Sequence, residues 1–355
     1  MKYFLITYGC QMNKSDSERI AAVLESADYR PAQRIEQADL IVVNMCSVRQ
    51  SAVDRVFGLN KKLKELKTIN YKLKTILTGC VLKKDKNVFS KIFDYVLDIK
   101  DLSDWPLEKK SKKKSDYFRI VPKYTSKSSA FIPVSNGCVN FCSYCVVPFT
   151  RGSLVCRNHK EILKEIKCLI KKEFKEIWLL GQNVNDYHSP IDPSVNFAKL
   201  FRMIENIPGK FKIFFMSPNP KNFSGELIDA LSKSKKFGKR LNLPVQSGDN
   251  KILKKMNRPY TVQQYKNLVK KIRKGIPDIN LSTDIIVGFP GETKKQFENT
   301  AKLFREIKFN IAYIAKYSPR PGTTAYKMKD NVSWEEKKRR EKVLQKIINR
   351  KKKNG

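Results

Sequence analysis

Residues 131–152 read FIPVSNGCVNFCSYCVVPFTRG. Phe131–Ser135 has the composition of a strand. A glycine breaks it, and three cysteines follow as Cys138-x-x-x-Cys142-x-x-Cys145. Three thiolates in one tight loop can hold three irons of a 4Fe–4S cluster. Full protein ligation takes four cysteines, so one iron corner would stay open to a small molecule. Structural zinc also takes four ligands. Cys156 and His159 stand nearby, which keeps zinc as the rival reading of the loop.

Working toward the C-terminus, strand and helix patterns alternate. Strands are expected at Phe131–Ser135, Ile177–Leu180, Ile213–Met216, Leu241–Val245, Ser282–Val287 and Ala312–Tyr317. Helices are expected at His159–Lys172, Phe197–Ile207, Gly225–Ser232, Lys251–Met256, Val262–Lys274 and Lys294–Ile307. Six strand–helix units can curl into a partial (β/α)6 barrel whose site lies at the carboxyl ends of the strands. The cysteine loop directly follows the first strand, which puts it on that face.

Toward the N-terminus the same alternation predicts strands at Lys2–Thr7, Leu40–Asn44, Thr75–Thr78 and Val96–Ile99. A helix is expected from a Ser15–Glu18 capping box, and another at Ser51–Leu66. Strands alternating with helices make a doubly wound parallel sheet. Cys10, Cys46 and Cys80 each stand just past the carboxyl end of a predicted strand. Those ends share one edge of such a sheet, where ligands bind. A single such cysteine is ordinarily core filling. Three at equivalent strand ends point to a second three-cysteine cluster site.

The expected organisation is an N-terminal domain at 1–108, a basic linker at 109–117, a barrel at 118–333 and a basic helix or tail at 334–355. The linker rests on the run KKSKKKS. The tail carries ten Lys or Arg against three Glu. Val343, Leu344, Ile347 and Ile348 form one stripe on it, suited to packing on the protein's own surface.

Apolar residues are 41% of 355, enough for sizeable cores. No stretch approaches the ~20 apolar residues of a membrane span, and the N-terminus lacks a secretory h-region. No membrane association and a cytoplasmic location are therefore expected. Clustered thiols in a reducing compartment read as metal ligands rather than disulfides. The net charge of +38 fits a polyanionic partner or simply a lysine-covered surface. No phosphate loop of the Gly-x-x-x-x-Gly-Lys type and no Gly-x-Ser-x-Gly elbow is present.

The spacing Cys138–Cys142–Cys145 resembles the radical S-adenosylmethionine (SAM) superfamily. YGCQMNKSDSE, VVNMCSVR, LTGC, CSYCVVPFTRG, LLGQNVNDY, LPVQSG, DIIVGFPGET and YSPRPGT together resemble its methylthiotransferase family, over roughly residues 1–340. Within it, QMNKSDSE, CVVPFTRG and LLGQNVN are most similar to members acting on isopentenylated adenosine in tRNA. The resemblance implies a radical-SAM 4Fe–4S cluster on Cys138, Cys142 and Cys145, which then act catalytically. It implies an auxiliary 4Fe–4S cluster on Cys10, Cys46 and Cys80. SAM would serve as radical source and methyl donor, and C2 of N6-isopentenyladenosine beside the anticodon would receive a methylthio group. The implied partners are the tRNA anticodon stem-loop, an electron-donor protein and a sulfur source. Tyr144 resembles the superfamily's aromatic beside the adenine of SAM. Gln182, Asn183, Gln246, Ser247 and Gly288 end predicted strands and are candidates to contact SAM. Arg151, Arg157 and Arg320 are candidates for substrate contact, Arg151 and Arg157 at a SAM carboxylate or RNA phosphate and Arg320 at the substrate or the auxiliary site.

Two departures stand out. The family's C-terminal β-barrel RNA-binding module is expected to be absent, since the sequence ends at Gly355. Asn242 stands where the family usually has histidine. Competing readings keep the chemistry on threonylcarbamoyl-adenosine or on a ribosomal-protein aspartate, or reduce the chain to an RNA-binding iron–sulfur protein without turnover.

Overall fold

The computed structural model describes residues 1–48, 50–99, 101 and 117–353. Most of the expected linker, 109–116, lies outside them. The chain divides into two compact units. One holds Met1–Lys127 and Val146–Gly152; the other holds Ser128–Cys145 and Ser153–Gly355.

The first unit contains strands β1 (Lys2–Tyr8), β2 (Arg30–Pro31), β3 (Leu40–Cys46), β4 (Lys74–Cys80) and β5 (Tyr95–Val96). They form one parallel sheet in the order β2-β1-β3-β4-β5, the doubly wound arrangement expected. Helices α1 (Gln11–Ser26), α2 (Gln50–Ile69) and α3 (Lys83–Phe89) connect the strands. Every residue of β3 is buried, as its apolar run Leu40–Val43 implies for a central strand covered on both faces. Ile41, Val43, Val53, Val56 and Leu63 pack on one side; Leu24, Leu40, Val42 and Ile76 pack on the other.

Helix α1 begins earlier than the Ser15–Glu18 pattern suggests. Its N-cap is Cys10, whose backbone N–H donates to Asn13 Oδ1 at 3.2 Å. Ser15 lies inside the helix, where its Oγ accepts from Arg19 Nη1 at 2.8 Å. The capping-box pattern marked a buried polar helix face instead of a helix end.

The boundary of this unit also lies later than the lysine run. Residues after it are hydrogen-bonded onto α1. Tyr117 donates its hydroxyl to Asp16, Lys123 N–H donates to Glu18 O at 3.0 Å, and Thr125 Oγ1 donates to Glu18 Oε1 at 2.9 Å. A short helix, α4 (Val147–Arg151), belongs to this unit as well and packs on β4.

In the second unit β6 (Ser129–Pro133) opens the barrel. The short strands β7 (Ser135–Asn136) and β8 (Val155–Cys156) pair antiparallel. Then follow α5 (His159–Lys171), β9 (Glu176–Leu180), the hairpin β10 (His188–Ser189) and β11 (Asp192–Asn196), α6 (Phe197–Glu205), β12 (Lys212–Phe215) and α7 (Gly225–Ser232). The chain continues with β13 (Arg240–Asn242), α8 (Asn250–Lys255), α9 (Val262–Gly275), β14 (Asn280–Val287), α10 (Lys294–Ile307), β15 (Ile311–Lys316) and α11 (Trp334–Lys353).

β6, β9 and β12 form one parallel ladder, and β13, β14 and β15 another. A parallel bridge from Ile213 to Phe237 links them, giving six barrel strands in chain order. Phe201, Phe215 and Phe237 fill the space behind β12, with the Phe215 and Phe237 rings stacked at 5.9 Å. The C-terminal helix is part of this unit rather than a separate tail. Leu344 is fully buried, Val343, Ile347 and Ile348 are half-buried, and α11 packs on β15 and α10.

Candidate cluster sites

In the first unit the strand ends converge as the sequence implied. Cys46 and Cys80 are the last residues of adjacent strands and face each other in register. Cys10 follows β1, the other neighbour of β3, and caps α1. The Cys46 thiol is hydrogen-bonded with both Cys10 and Cys80. Cys46 and Cys80 are buried, while Cys10 is exposed.

The charge pattern follows from those contacts. Its hydrogen bond from Cys46, together with the Asn13 N–H and the Arg151 charge, lowers the Cys10 thiol to about 6. Cys80 is lowered by the same kind of bond from Cys46 and by Arg151. Cys46, in hydrogen-bond contact with both neighbours and buried, is shifted strongly upward. Cys10 and Cys80 are thus shifted toward the thiolate and Cys46 away from it. The donors are all soft sulfur, which suits iron–sulfur chemistry and not hard cations. Among the described residues no three His, Cys, Asp or Glu side chains close on a single ion position.

Its surroundings are polar and tightly specified. Asn44, buried in β3, donates to Asn13 O at 2.8 Å and to Ser17 Oγ at 3.0 Å, and accepts from Asn13 Nδ2 at 2.9 Å. Gly79 has φ +100°, and a Cβ there would lie 2.3 Å from Met45 O. Only glycine therefore lets β4 bring Cys80 beside Cys46. Arg151 Nε donates to Cys80 Sγ at 3.0 Å, and its Nη2 pairs with Asp16 at 2.6 Å.

In the second unit the cysteine loop leaves the carboxyl end of the first barrel strands, and all three thiols are half-buried. Gly137 N–H donates to Gln182 Oε1 at 2.5 Å. Asn140 Nδ2 donates to Cys138 Sγ and to Asp186, both at 3.3 Å. Phe141 takes φ +45°, and Asn257 Nδ2 donates to its carbonyl at 3.0 Å. Ser143 N–H donates to Met256 O at 3.1 Å, and Ser143 O accepts from Ala325 N–H at 2.7 Å. Arg258 Nη1 reaches Cys142 Sγ at 3.5 Å and its Nη2 donates to Pro244 O at 3.2 Å. The loop is therefore braced by groups from the ends of several barrel strands and helices. Tyr144 packs against Ile252, Met256, Phe289, Tyr317 and Ala325. Burial pushes its phenol well up, so it stays a neutral donor.

His159 Nδ1 is hydrogen-bonded to Ser189 Oγ at 2.7 Å, and the Cys156 thiol is raised by burial and held at the His188 backbone.

The other sequence candidates fall as follows. Asn183 is buried and donates to Asp186. Gln246 has φ +69° and bridges to β14 by accepting from Ile286 N–H at 3.0 Å. A non-glycine residue held there carries strain of the kind found at ligand sites. Ser247 is fully buried and its Oγ accepts from Asp249 N–H at 3.2 Å. Gly288 has φ +69° and donates to Glu292 Oε2 at 2.7 Å. A Cβ there would meet the Lys337 side chain at 2.3 Å. Asn242 donates to Asp284 Oδ2 at 2.6 Å. Arg320 is buried and its carbonyl accepts from Thr323 Oγ1 at 2.8 Å. Arg151 and Arg157, expected at SAM or RNA, have their guanidinium groups on carboxylates instead. Arg151 pairs with Asp16 and Arg157 with Glu165, and both arginine side chains are under 10% exposed.

A family model described as the radical SAM superfamily matches residues 132–304, and one described as uncharacterized protein family UPF0004 matches residues 2–99. A curated tRNA-2-methylthio-N(6)-dimethylallyladenosine synthase of Clostridium novyi (strain NT) is 39% identical over 367 residues, covering 98% of this chain and 81% of that protein. The protein of that name from Thermoanaerobacter sp. (strain X514) is 41% identical over 349 residues, covering 93% and 74%. The chain belongs to the methylthiotransferase family of radical SAM enzymes. The fold of this methylthiotransferase is also that of the solved radical SAM methyltransferase TsrM from Kitasatospora setae. That match has TM-score 0.67 at 14% identity, covering 92% of this chain and 75% of that one.

Sequence reasoning missed several residues of these methylthiotransferase sites: Asp16, Asn13, Asn44, Asp186, Arg258 and Glu292. Five of them had a usable signal: Asn13 and Asp16 lie inside QMNKSDSE, Asn44 inside VVNMCSVR, Asp186 inside LLGQNVNDY and Glu292 inside DIIVGFPGET. Arg258 had none.

Proposed function

We propose that this methylthiotransferase adds a methylthio group to C2 of N6-isopentenyladenosine beside the anticodon of tRNA. The observation that supports it best is the pair of separate cysteine trios, each at strand carboxyl ends, in a chain about 40% identical to synthases of that product. Cys138, Cys142 and Cys145 would hold the radical-SAM 4Fe–4S cluster, and Cys10, Cys46 and Cys80 the auxiliary one. Bound there, the clusters and SAM supply the radical, the sulfur and the methyl group of the product.

The chain's own residues do the rest. Gln182, Ser143 and Asn257 fix the loop backbone so that three sulfurs stay preorganised. The Tyr144 ring packs the loop onto the apolar cluster of Ile252, Met256, Phe289, Tyr317 and Ala325. Asn183, Gln246, Ser247 and Gly288 are assigned to SAM, on their placement at barrel strand ends. Arg320 is assigned to the substrate side. The positive charge of the chain favours an RNA partner, whose unstacked loop bases are the usual targets of recognition. An electron-donor protein and a sulfur source complete the reaction, and the cytoplasm is its site. No described helix is long and apolar enough to cross a membrane.

Mass spectrometry of tRNA nucleosides tests the assignment. A host lacking its own enzyme should accumulate isopentenyladenosine and regain the methylthio form when this chain is expressed. Unchanged isopentenyladenosine, with both clusters loaded in the purified protein, would overturn the substrate.

A further inference from the structure

We propose that Arg151 is a positioning residue for the auxiliary site: its Nε–H remains on the Cys80 sulfur when the cluster is bound, and with Asp16 it sets the cluster's reduction potential. The inference rests on the reading that Cys10, Cys46 and Cys80 hold a cluster.

Arg151 comes from α4, six residues beyond Cys145, yet it is built into the first unit. Its guanidinium uses Nε on Cys80 Sγ at 3.0 Å and Nη2 on Asp16 Oδ2 at 2.6 Å. Asp16 is fully buried and also accepts from the Tyr117 hydroxyl. The chain Tyr117–Asp16–Arg151–Cys80 thus aims one N–H at one ligand sulfur. Arginine suits this because its rigid fork serves two acceptors at once, whereas lysine offers a point charge. Such a buried cation would be costly as a mere filler. Its placement at a cysteine sulfur gives it work to do on that sulfur.

The sign of the effect is fixed. One-electron reduction adds negative charge to the cluster. A cation and an N–H donor at a ligand sulfur favour that state and raise the potential; a carboxylate behind them lowers it.

The test uses the full chain with Cys138, Cys142 and Cys145 changed to alanine, reconstituted anaerobically so that only the auxiliary site titrates. Reduced cluster is followed by electron paramagnetic resonance against poised potential. Arg151→Met should lower the midpoint, changing the reduced-to-oxidised ratio at fixed potential at least tenfold, about 59 mV for one electron. Asp16→Asn should move it upward. Arg151→Lys should restore part of the loss, and it carries the test if Arg151→Met fails to load iron. Loosened packing would move both variants the same way. Equal midpoints, or shifts of one sign in Arg151→Met and Asp16→Asn, would overturn the proposal while leaving the cluster assignment standing. A parent protein that binds no iron at this trio would overturn both.

Discussion

At the scale of single residues, the two trios make different demands on their sulfurs. Cys46 is in hydrogen-bond contact with both Cys10 and Cys80, so its loss removes the neighbour the other two share. Cys142 is the middle cysteine of the barrel loop and the one Arg258 reaches. Cys46→Ala should lose about half of the iron and sulfide and still cleave SAM to 5′-deoxyadenosine, but give no methylthio product. Cys142→Ala should lose a similar amount and give no 5′-deoxyadenosine. Iron counting with product chromatography checks both. If Cys46→Ala still formed the methylthio product, the auxiliary site would be misassigned. Cys10, Cys46 and Cys80 were legible because each follows a strand pattern directly, and Cys138, Cys142 and Cys145 because of their spacing in one loop. Arg151 and Asp16 were not legible as partners. They stand 135 positions apart, and no periodicity connects an ion pair across such a separation.

At the scale of elements, strands and helices of both units were readable wherever an apolar run met a glycine or a cap. LTGC is the best case. Its apolar run stops at a glycine, and in the structure that glycine is the point where β4 and β3 approach too closely for a side chain. The start of α1 was misread because buried Ser15, Asp16 and Glu18 imitate a cap. What fixes α11 was also hidden. Arg340 pairs with Glu292 at 2.6 Å, both almost fully buried, and Glu292 accepts from Gly288 N–H at the strand end. Removing the arginine would leave a carboxylate buried without its cation. Arg340→Ala should therefore cost about 3–5 kcal/mol in unfolding free energy. Glu292→Gln should cost less, since its carbonyl still accepts from Gly288 and Arg340 keeps Glu336 at 2.8 Å. Denaturant unfolding of the two variants decides. Equal small losses would mean that α11 is held by its apolar stripe alone.

At the scale of the whole molecule, the net charge of +38 is the feature the fold leaves unexplained. Buried ion pairs consume few of the cations: Arg151, Arg157 and Arg340 have carboxylate partners inside. On α11, Lys338, Lys342 and Lys346 are exposed. Exposed cations that meet RNA phosphates release bound counterions, so the logarithm of affinity falls linearly with that of salt. An anticodon stem-loop should bind this chain with a steep slope, losing about a hundredfold or more between ~50 and ~200 mM monovalent salt. Changing Lys338, Lys342 and Lys346 together to glutamine should reduce the slope by about two, at roughly 0.7–0.9 per phosphate contact. Titration by fluorescence anisotropy at several salt concentrations measures both. A flat response in the parent would mean that the positive charge serves solubility and that recognition rests on base contacts. An unchanged slope in the triple variant would place the phosphate contacts on other faces than α11.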